Sequence, residues 1–239
     1  EPPIDGDISH YNIFRSEVSG SDYEKIDESI INSYSDIYVE EGKTYYYIIN
    51  AVDRSGNVSD YTVEVSATAQ KVELLFNEDF EEDDGGFVKG VISGTVNDWQ
   101  WGTPTSGPKT AASGINLWAT NLHGNYSDYS NAYIISPPIV VPDGKIPVLS
   151  YTHWYDTSSY LDYGMVEISD NDGATWVNIT PALYNQYTGR IRTWINEEIP
   201  LLNYSGKTIR IRFLFYSNYM ENYEGWYIDN VRVFGVDEP

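Results

Sequence analysis

The chain has 239 residues, 41% of them hydrophobic, no cysteine, and a formal net charge of −22. This excludes a disulfide framework and the thiolate ligands of a structural zinc site, and phosphate-rich partners such as DNA, RNA and anionic lipid would be repelled. No apolar run reaches the length of a membrane span and Glu1-Pro2-Pro3 is unlike a signal peptide, so an exported parent would carry its targeting segment upstream.

In chain order, strand patterns recur at short intervals and no stretch keeps a helical period. Residues 45–52 alternate through Tyr45, Tyr47, Ile49 and Ala51, and Ser55-Gly56-Asn57 marks the following turn. One pattern ends and another begins at residues 67–72, which divides the chain into regions 1–70 and 71–239. The first holds 14 acids and 4 bases, the second 22 and 10. The densest acidic run, Glu78-Asp79-Phe80-Glu81-Glu82-Asp83-Asp84, opens the second region, and that concentration suggests a site for a hard cation rather than a solvated face. Residues 85–114, rich in Gly, Ser, Thr and Pro, read as one long loop tied down by Trp99 and Trp101. Asp143-Gly144 and Asn171-Asp172-Gly173 are further turns. Residues 208–216 place Ile209, Ile211, Phe213 and Phe215 on one face and Arg210 and Arg212 on the other, and residues 227–234 form a last short strand. Alternation with one polar face predicts antiparallel sheets half open to water, hence a sandwich or jelly roll.

Region 1–70 contains Tyr11-Asn12-Ile13-Phe14-Arg15-Ser16, Tyr23-Glu24-Lys25-Ile26, Glu41-Gly42-Lys43-Thr44-Tyr45 and Ala51-Val52-Asp53-Arg54-Ser55-Gly56-Asn57-Val58-Ser59. In these it resembles a fibronectin type III module from its third strand onward, with the first two strands expected before Glu1. Tyr45 takes the place of the tyrosine-corner residue, whose hydroxyl bonds back to the backbone. The resemblance implies a spacer.

Region 71–239 contains Trp99-Gln100-Trp101-Gly102-Thr103-Pro104, Ser113-Gly114-Ile115-Asn116-Leu117-Trp118-Ala119-Thr120-Asn121-Leu122, Gly173-Ala174-Thr175-Trp176 and Gly225-Trp226-Tyr227-Ile228-Asp229-Asn230-Val231. Here it resembles the MAM-related jelly-roll domains that follow the catalytic domains of secreted bacterial peptidases of the bacillopeptidase F and immune inhibitor A types. The resemblance implies an all-β chain, a partial immunoglobulin-like sandwich followed by an antiparallel jelly roll. It also implies a calcium ion between the first strand, a neighbouring loop and the last strand. Carried over by position, the ligands are the Asp79 carbonyl, the Glu81 carboxylate, an oxygen of Asn116 and Asp229.

No histidine-based, zinc-helix or phosphate-loop signature occurs in the sequence, while glycosidase-type carboxylate pairs, which assemble from distant positions, stay open. His10, His123 and His153 are widely spaced, with no HExxH helix, GxSxG elbow or phosphate-binding loop. His153 reads as a packed strand residue, and Ser106 has nothing to mark it as a nucleophile. Ser169-Asp170-Asn171-Asp172-Gly173-Ala174-Thr175-Trp176 resembles an Asp-box hairpin, read as structural turn chemistry. Tyr155, Tyr160, Tyr163, Tyr184 and Tyr187, with Tyr219 and Tyr223, lie in polar, loop-like stretches and are candidates for a binding surface.

The resulting expectation is a secreted, extracellular, calcium-stabilised and non-catalytic C-terminal region of a large peptidase. Its partners would be the catalytic domain of the parent chain, a protein substrate or cell-wall polysaccharide. The alternative is a carbohydrate- or cell-surface-binding module; an independent enzyme ranks third.

Overall fold

The computed structural model describes residues 8–29, 34, 36, 38–182 and 185–238, with sixteen strands and no α-helix among them. It divides into two compact units, Glu1–Lys71 and Val72–Pro239.

The first unit is one antiparallel sheet of β1 (Ile8–Ser16), β2 (Glu24–Ser29), β3 (Thr44–Asp53) and β4 (Val65–Thr68), in the order β2-β1-β3-β4. β3 is a run of Tyr, Ile, Val and Ala, side chains that pack well on a pleated surface. Its register with β1 sets Ile13 opposite Ile49 and Asn12 opposite Asn50. Both asparagines are buried, and Asn12 Nδ2 donates a 2.8 Å hydrogen bond to Asn50 Oδ1, while Asn12 Oδ1 has no hydrogen-bond partner among the described residues. Tyr45 is buried, and its hydroxyl accepts a hydrogen bond from the Glu40 N–H at 3.0 Å. That is the backbone contact a tyrosine corner makes.

The second unit is an all-β sandwich. One sheet runs in the order β13 (Val177–Asn178), β12 (Tyr163–Ser169), β15 (Thr208–Tyr216), β9 (Asn131–Ile135), β6 (Val88–Val91), with β10 (Ile139–Val140) beside β15. The other runs β14 (Arg190–Pro200), β11 (Lys145–Asp156), β16 (Gly225–Asp237), β8 (Leu117–Ala119), β7 (Gln100–Gly102), with β5 (Val72–Glu78) beside β16. Thus the first and last strands of the unit are neighbours. The predicted long loop over 85–114 instead contains β6 and β7, strands of only four and three residues. These are too short to show a two-residue alternation against a Gly/Ser/Thr background.

Between the sheets lie Ile209, Ile211, Phe213 and Phe215, as their alternation requires, packed with Val166, Ile168, Leu149, Tyr151 and Ile228. Trp226 sits at the centre, fully buried, with ring centroids 5.8 Å from Trp99, Phe213 and Tyr187. Gly164 makes room for it: a Cβ there would fall 2.5 Å from the indole. A second, smaller cluster of Leu117, Ala119, Leu122, Trp154 and Tyr227 lies on the opposite side of the strands that carry it, because Tyr227 alternates with Trp226 and Trp118 with Leu117.

Candidate functional site

The acidic run after β5 is largely turn chemistry. Glu78 accepts the Phe80 N–H at 2.8 Å, Asp79 the Glu81 N–H at 3.2 Å, Asp83 the Gly85 N–H at 2.8 Å and Asp84 the Gly86 N–H at 3.0 Å. Short acidic side chains favour such turns because they offer the backbone a nearby acceptor. Phe80, at φ +61 with its ring wholly buried, reverses the chain. Glu81 then reaches a different segment: its Oε1 accepts the N–H groups of Ile115 at 2.9 Å and Asn116 at 2.8 Å. Gly114 passes directly over the carboxylate. It has φ +56, and a Cβ there would lie 2.1 Å from Glu81 Cδ.

The same segment grips the last strand. Asp229 Oδ2 accepts the N–H groups of Ala112 at 2.9 Å and Ser113 at 3.0 Å, while the Ser113 hydroxyl donates to Asn230 Oδ1 at 2.9 Å. The β11–β16 register slips between Ser150 and Thr152, which pair with Arg232 and Asp229, so Asn230 and Val231 together oppose Tyr151. This is a β-bulge, with Asn230 at φ +51. Bulges re-aim side chains next to sites, and Asp229 is here turned under residues 112–116. Asp229 is fully buried. Burial holds its pKa up at about 6; the N–H groups of Ser113, Asn230 and Ala112 draw it down, and the nearby Glu81 charge raises it further.

Three of the four expected calcium ligands therefore converge on one loop. Glu81 and Asp229 both lie under residues 112–116, and Asn116 donates its N–H to Glu81 while its side-chain oxygen accepts from the Thr103 hydroxyl at 2.9 Å. Asp79 lies two residues before Glu81 and its side chain accepts the Glu81 N–H; no contact among the described residues places its carbonyl, the atom expected as a ligand, against residues 112–116. Among the described residues no three His, Cys, Asp or Glu side chains gather in metal-binding geometry. A cation here would take two carboxylates and fill its shell with neutral carbonyl, amide or water oxygens, a donor set that suits calcium. A buried carboxylate beside a second carboxylate, both already oriented by N–H groups, fits that requirement.

The clasped segment also covers the smaller hydrophobic cluster. Ser106 Oγ and the Tyr227 hydroxyl lie 2.9 Å apart, Gly107 lies against the Tyr227 ring where a Cβ would be 2.5 Å away, and Ala111 packs on the cluster. Ser106 is thus a structural contact. His153 is fully buried in β11, and its Nδ1 accepts from Trp226 Nε1 at 3.1 Å.

The candidate surface tyrosines separate. Tyr155 and Tyr187 are corrections: at 6% and 2% exposure both belong to the core, packed around His153, and not to the surface. Tyr155 is still within β11, and the polar residues after it, Asp156, Thr157 and Ser158, are themselves buried. Tyr160 and Tyr219 are exposed, and Tyr163 is half-buried on a strand. Tyr223 is half-buried; its hydroxyl donates to Glu221 at 2.8 Å and its ring lies under Arg190. Tyr184 lies outside the described residues. The Asn171 hairpin closes on itself, with Ser169 Oγ accepting the Gly173 N–H at 2.9 Å, Asn171 Oδ1 the Thr175 N–H at 2.9 Å and the Gly173 carbonyl accepting from Trp176 Nε1 at 3.0 Å. Sequence reasoning passed over Gly114, Asn230, Asp162, Tyr129 and Tyr216, whose importance arises from contacts distant in the chain.

No family model matches the chain. It is 38% identical over 177 residues to bacillopeptidase F of Bacillus subtilis (strain 168), an alignment covering 74% of this chain and 11% of that protein. A stretch of 58 residues, 24% of this chain, is 45% identical to amylopullulanase of Thermoanaerobacter thermohydrosulfuricus, where it covers 4%. The chain thus spans a small part of the relatives it matches. Among solved structures it is similar to the K3 cleaved adhesin domain of Lys-gingipain from Porphyromonas gingivalis (18% identity, TM-score 0.44, 69% of this chain and 99% of that one). It is similar also to TmCBM61 in complex with β-1,4-galactotriose (16% identity, TM-score 0.44, 65% and 93%). The chain is a β-sandwich protein homologous to a portion of bacillopeptidase F.

Proposed function

We propose that this chain is a non-catalytic accessory region of a large secreted peptidase, in which a spacer unit precedes a sandwich closed by a calcium clasp. The observation that carries this reading is the match to bacillopeptidase F, which takes up most of this chain and only a ninth or so of the peptidase. Of the side chains that a serine–histidine hydrolase would need, three have structural contacts: His153 is enclosed and bonded to Trp226, Ser106 meets Tyr227, and His123 Nδ1 lies 2.9 Å from Thr105 Oγ1. The clasp supports the calcium part. Glu81 follows the first strand of the unit and Asp229 lies in the last, so a cation held with Asn116 and Asp79 would join the two ends of the sandwich and fix the segment that covers the Tyr227 cluster.

A ligand that binds only the folded state stabilises it by mass action, about 2.7 kcal/mol at a hundredfold excess over Kd. In a domain of this size that is roughly 5–11 °C in melting temperature. The test compares melting in excess calcium and in chelator, with casein hydrolysis followed on the same preparation. Equal melting temperatures with no retained calcium refute the clasp, and casein turnover by the purified chain refutes the accessory role.

A further inference from the structure

One end of the sheet containing β12, β15 and β9 is built from tyrosine. β9 begins at Asn131, β12 begins at Tyr163, β15 ends at Tyr216, and the register sets Tyr163 opposite Tyr216 and Tyr216 opposite Asn131. Tyr163 and Tyr216 stack with centroids 5.1 Å apart and planes at 20°. Their strand neighbours Gly164, Val166, Phe213 and Phe215 point into the sandwich, so this pair faces away from the core. Just beyond the strand ends a second pair, Tyr129 and Tyr219, stacks at 5.9 Å and 25°, although the two rings are 64% and 63% exposed. Tyr160, 79% exposed, belongs to the loop leading into β12.

These loops are locked together by a buried carboxylate that the clasp does not use. Asp162 is fully buried; it accepts the Tyr126 hydroxyl at 2.6 Å and the Asn218 N–H at 2.8 Å, tying residues 126, 162 and 218 into one unit. The Asn218 carbonyl accepts the Tyr129 N–H at 2.9 Å, and Ser217 and Ser130 exchange bonds from Ser217 N to the Ser130 carbonyl at 2.8 Å and from Ser130 N to Ser217 Oγ at 2.9 Å. Tyr129 and Tyr160 sit at φ +57 and +66, a region bulky residues rarely adopt. Such backbone persists only where its surroundings over-determine it, as the bonds from Tyr129 N to the Asn218 carbonyl and from Tyr160 N to Thr188 Oγ1 do here.

We propose that this tyrosine end is a binding site for a neutral polysaccharide. A sugar ring presents flat C–H faces, which match the electron-rich face of an aromatic ring, and tyrosine offers that face with little side-chain entropy to lose. Because Asp162 fixes the loops beforehand, binding need not order them. Asp128 precedes Tyr129 and Glu221 follows Tyr219 by two residues in a chain of net charge −22, so polyanions are repelled, and stacking on C–H faces asks for no charge on the sugar. A protein partner fits less well: an aromatic side chain buries roughly 150–250 Å² in full, and with Tyr129, Tyr219 and Tyr160 at 64%, 63% and 79% exposure the three offer on the order of 400 Å², below the roughly 800 Å² per side of a stable protein interface. The inference goes beyond the accessory role and stands without the calcium clasp.

The test is affinity gel electrophoresis in chelator of the whole chain against four neutral polysaccharides (β-1,4-galactan, galactomannan, mixed-linkage β-glucan and arabinan), one polyanion (alginate) and gelatin. At least one neutral polymer retards the chain, and alginate and gelatin do not. Tyr129→Ala with Tyr219→Ala weakens that retardation by about tenfold or more, which corresponds to the stacking of one to two rings. Tyr129→Phe with Tyr219→Phe keeps most of it. Because Tyr160 is the most exposed of the set, Tyr160→Ala serves as the variant least able to disturb folding, and equal melting temperatures confirm that each protein is folded. Retardation by none of the four neutral polymers, retardation only by alginate or gelatin, or unchanged retardation of the alanine variants overturns the proposal.

Discussion

Gly114→Ala is the sharpest probe of the clasp. The residue has φ +56, where a side chain costs about 1–2 kcal/mol, and its new Cβ would lie 2.1 Å from Glu81 Cδ and 2.4 Å from both carboxylate oxygens. Those atoms end a flexible, half-buried side chain, so the clash is relieved by Glu81 swinging into water and not by movement of the backbone. The swing abandons two charge-assisted hydrogen bonds, to Ile115 and Asn116. Such bonds contribute about 1.5–3 kcal/mol each, and the partial exposure of Glu81 brings the pair to roughly 2–3 kcal/mol. Gly114→Ala should therefore cost about 3–5 kcal/mol, or roughly 6–20 °C in melting temperature, and Glu81→Ala about 2–3 kcal/mol. If the alanine acts by expelling Glu81, the double variant loses only the backbone strain beyond Glu81→Ala, and the cycle shows a coupling of about 2–3 kcal/mol. Urea unfolding of the four proteins in chelator measures this. Effects that add to within about 0.5 kcal/mol would show that Gly114 and Glu81 act separately and that the clasp is misdescribed.

Asp229 should leave a signature in pH. With its folded pKa at about 6 against about 3.9 in the unfolded chain, the folded state holds a proton the unfolded state has released. Its stabilisation is complete below about pH 4 and is lost as pH rises through 6. In chelator, the stability of the wild type relative to Asp229→Asn should fall across that window, and a constant difference would refute the assignment. Gly164→Ala drives a Cβ to 2.5 Å from Trp226, a fully buried ring packed against Trp99, Tyr187 and Phe213. Overpacking of this kind costs about 1–3 kcal/mol, and a loss under about 0.5 kcal/mol in urea unfolding would show that the core yields there. Tyr45→Phe removes the acceptor of the Glu40 N–H and should cost the first unit about 0.5–1.5 kcal/mol; hydrogen exchange at Glu40 no faster than in the wild type would refute the corner.

Strand identity was legible where alternation was long. The pattern of residues 208–216 named the inward row of β15 correctly, because nine residues give several cycles of a two-residue period. The two halves of the clasp were nameable from the resemblance alone, since nothing local to Glu81 or Asp229 says that residues 112–116 will bridge them. What alternation could not give was the fate of the tyrosines. A polar stretch reads as surface, yet Asp156, Thr157 and Ser158 are buried with their polar atoms engaged: Asp156 faces Arg190 at 2.9 Å and Thr157 exchanges bonds with Gly189. Tyr155 beside them is therefore core. Tyr219, in an equally polar stretch, stands 63% exposed, next to Asn218, whose N–H is held by the buried Asp162. The difference between a core tyrosine and an exposed one lies in where the neighbouring backbone hydrogen bonds go. In this chain those partners come from 56 residues away in sequence for Asn218 and 32 for Thr157. Separations of that size carry no local periodicity, so only the assembled sandwich distinguishes the two.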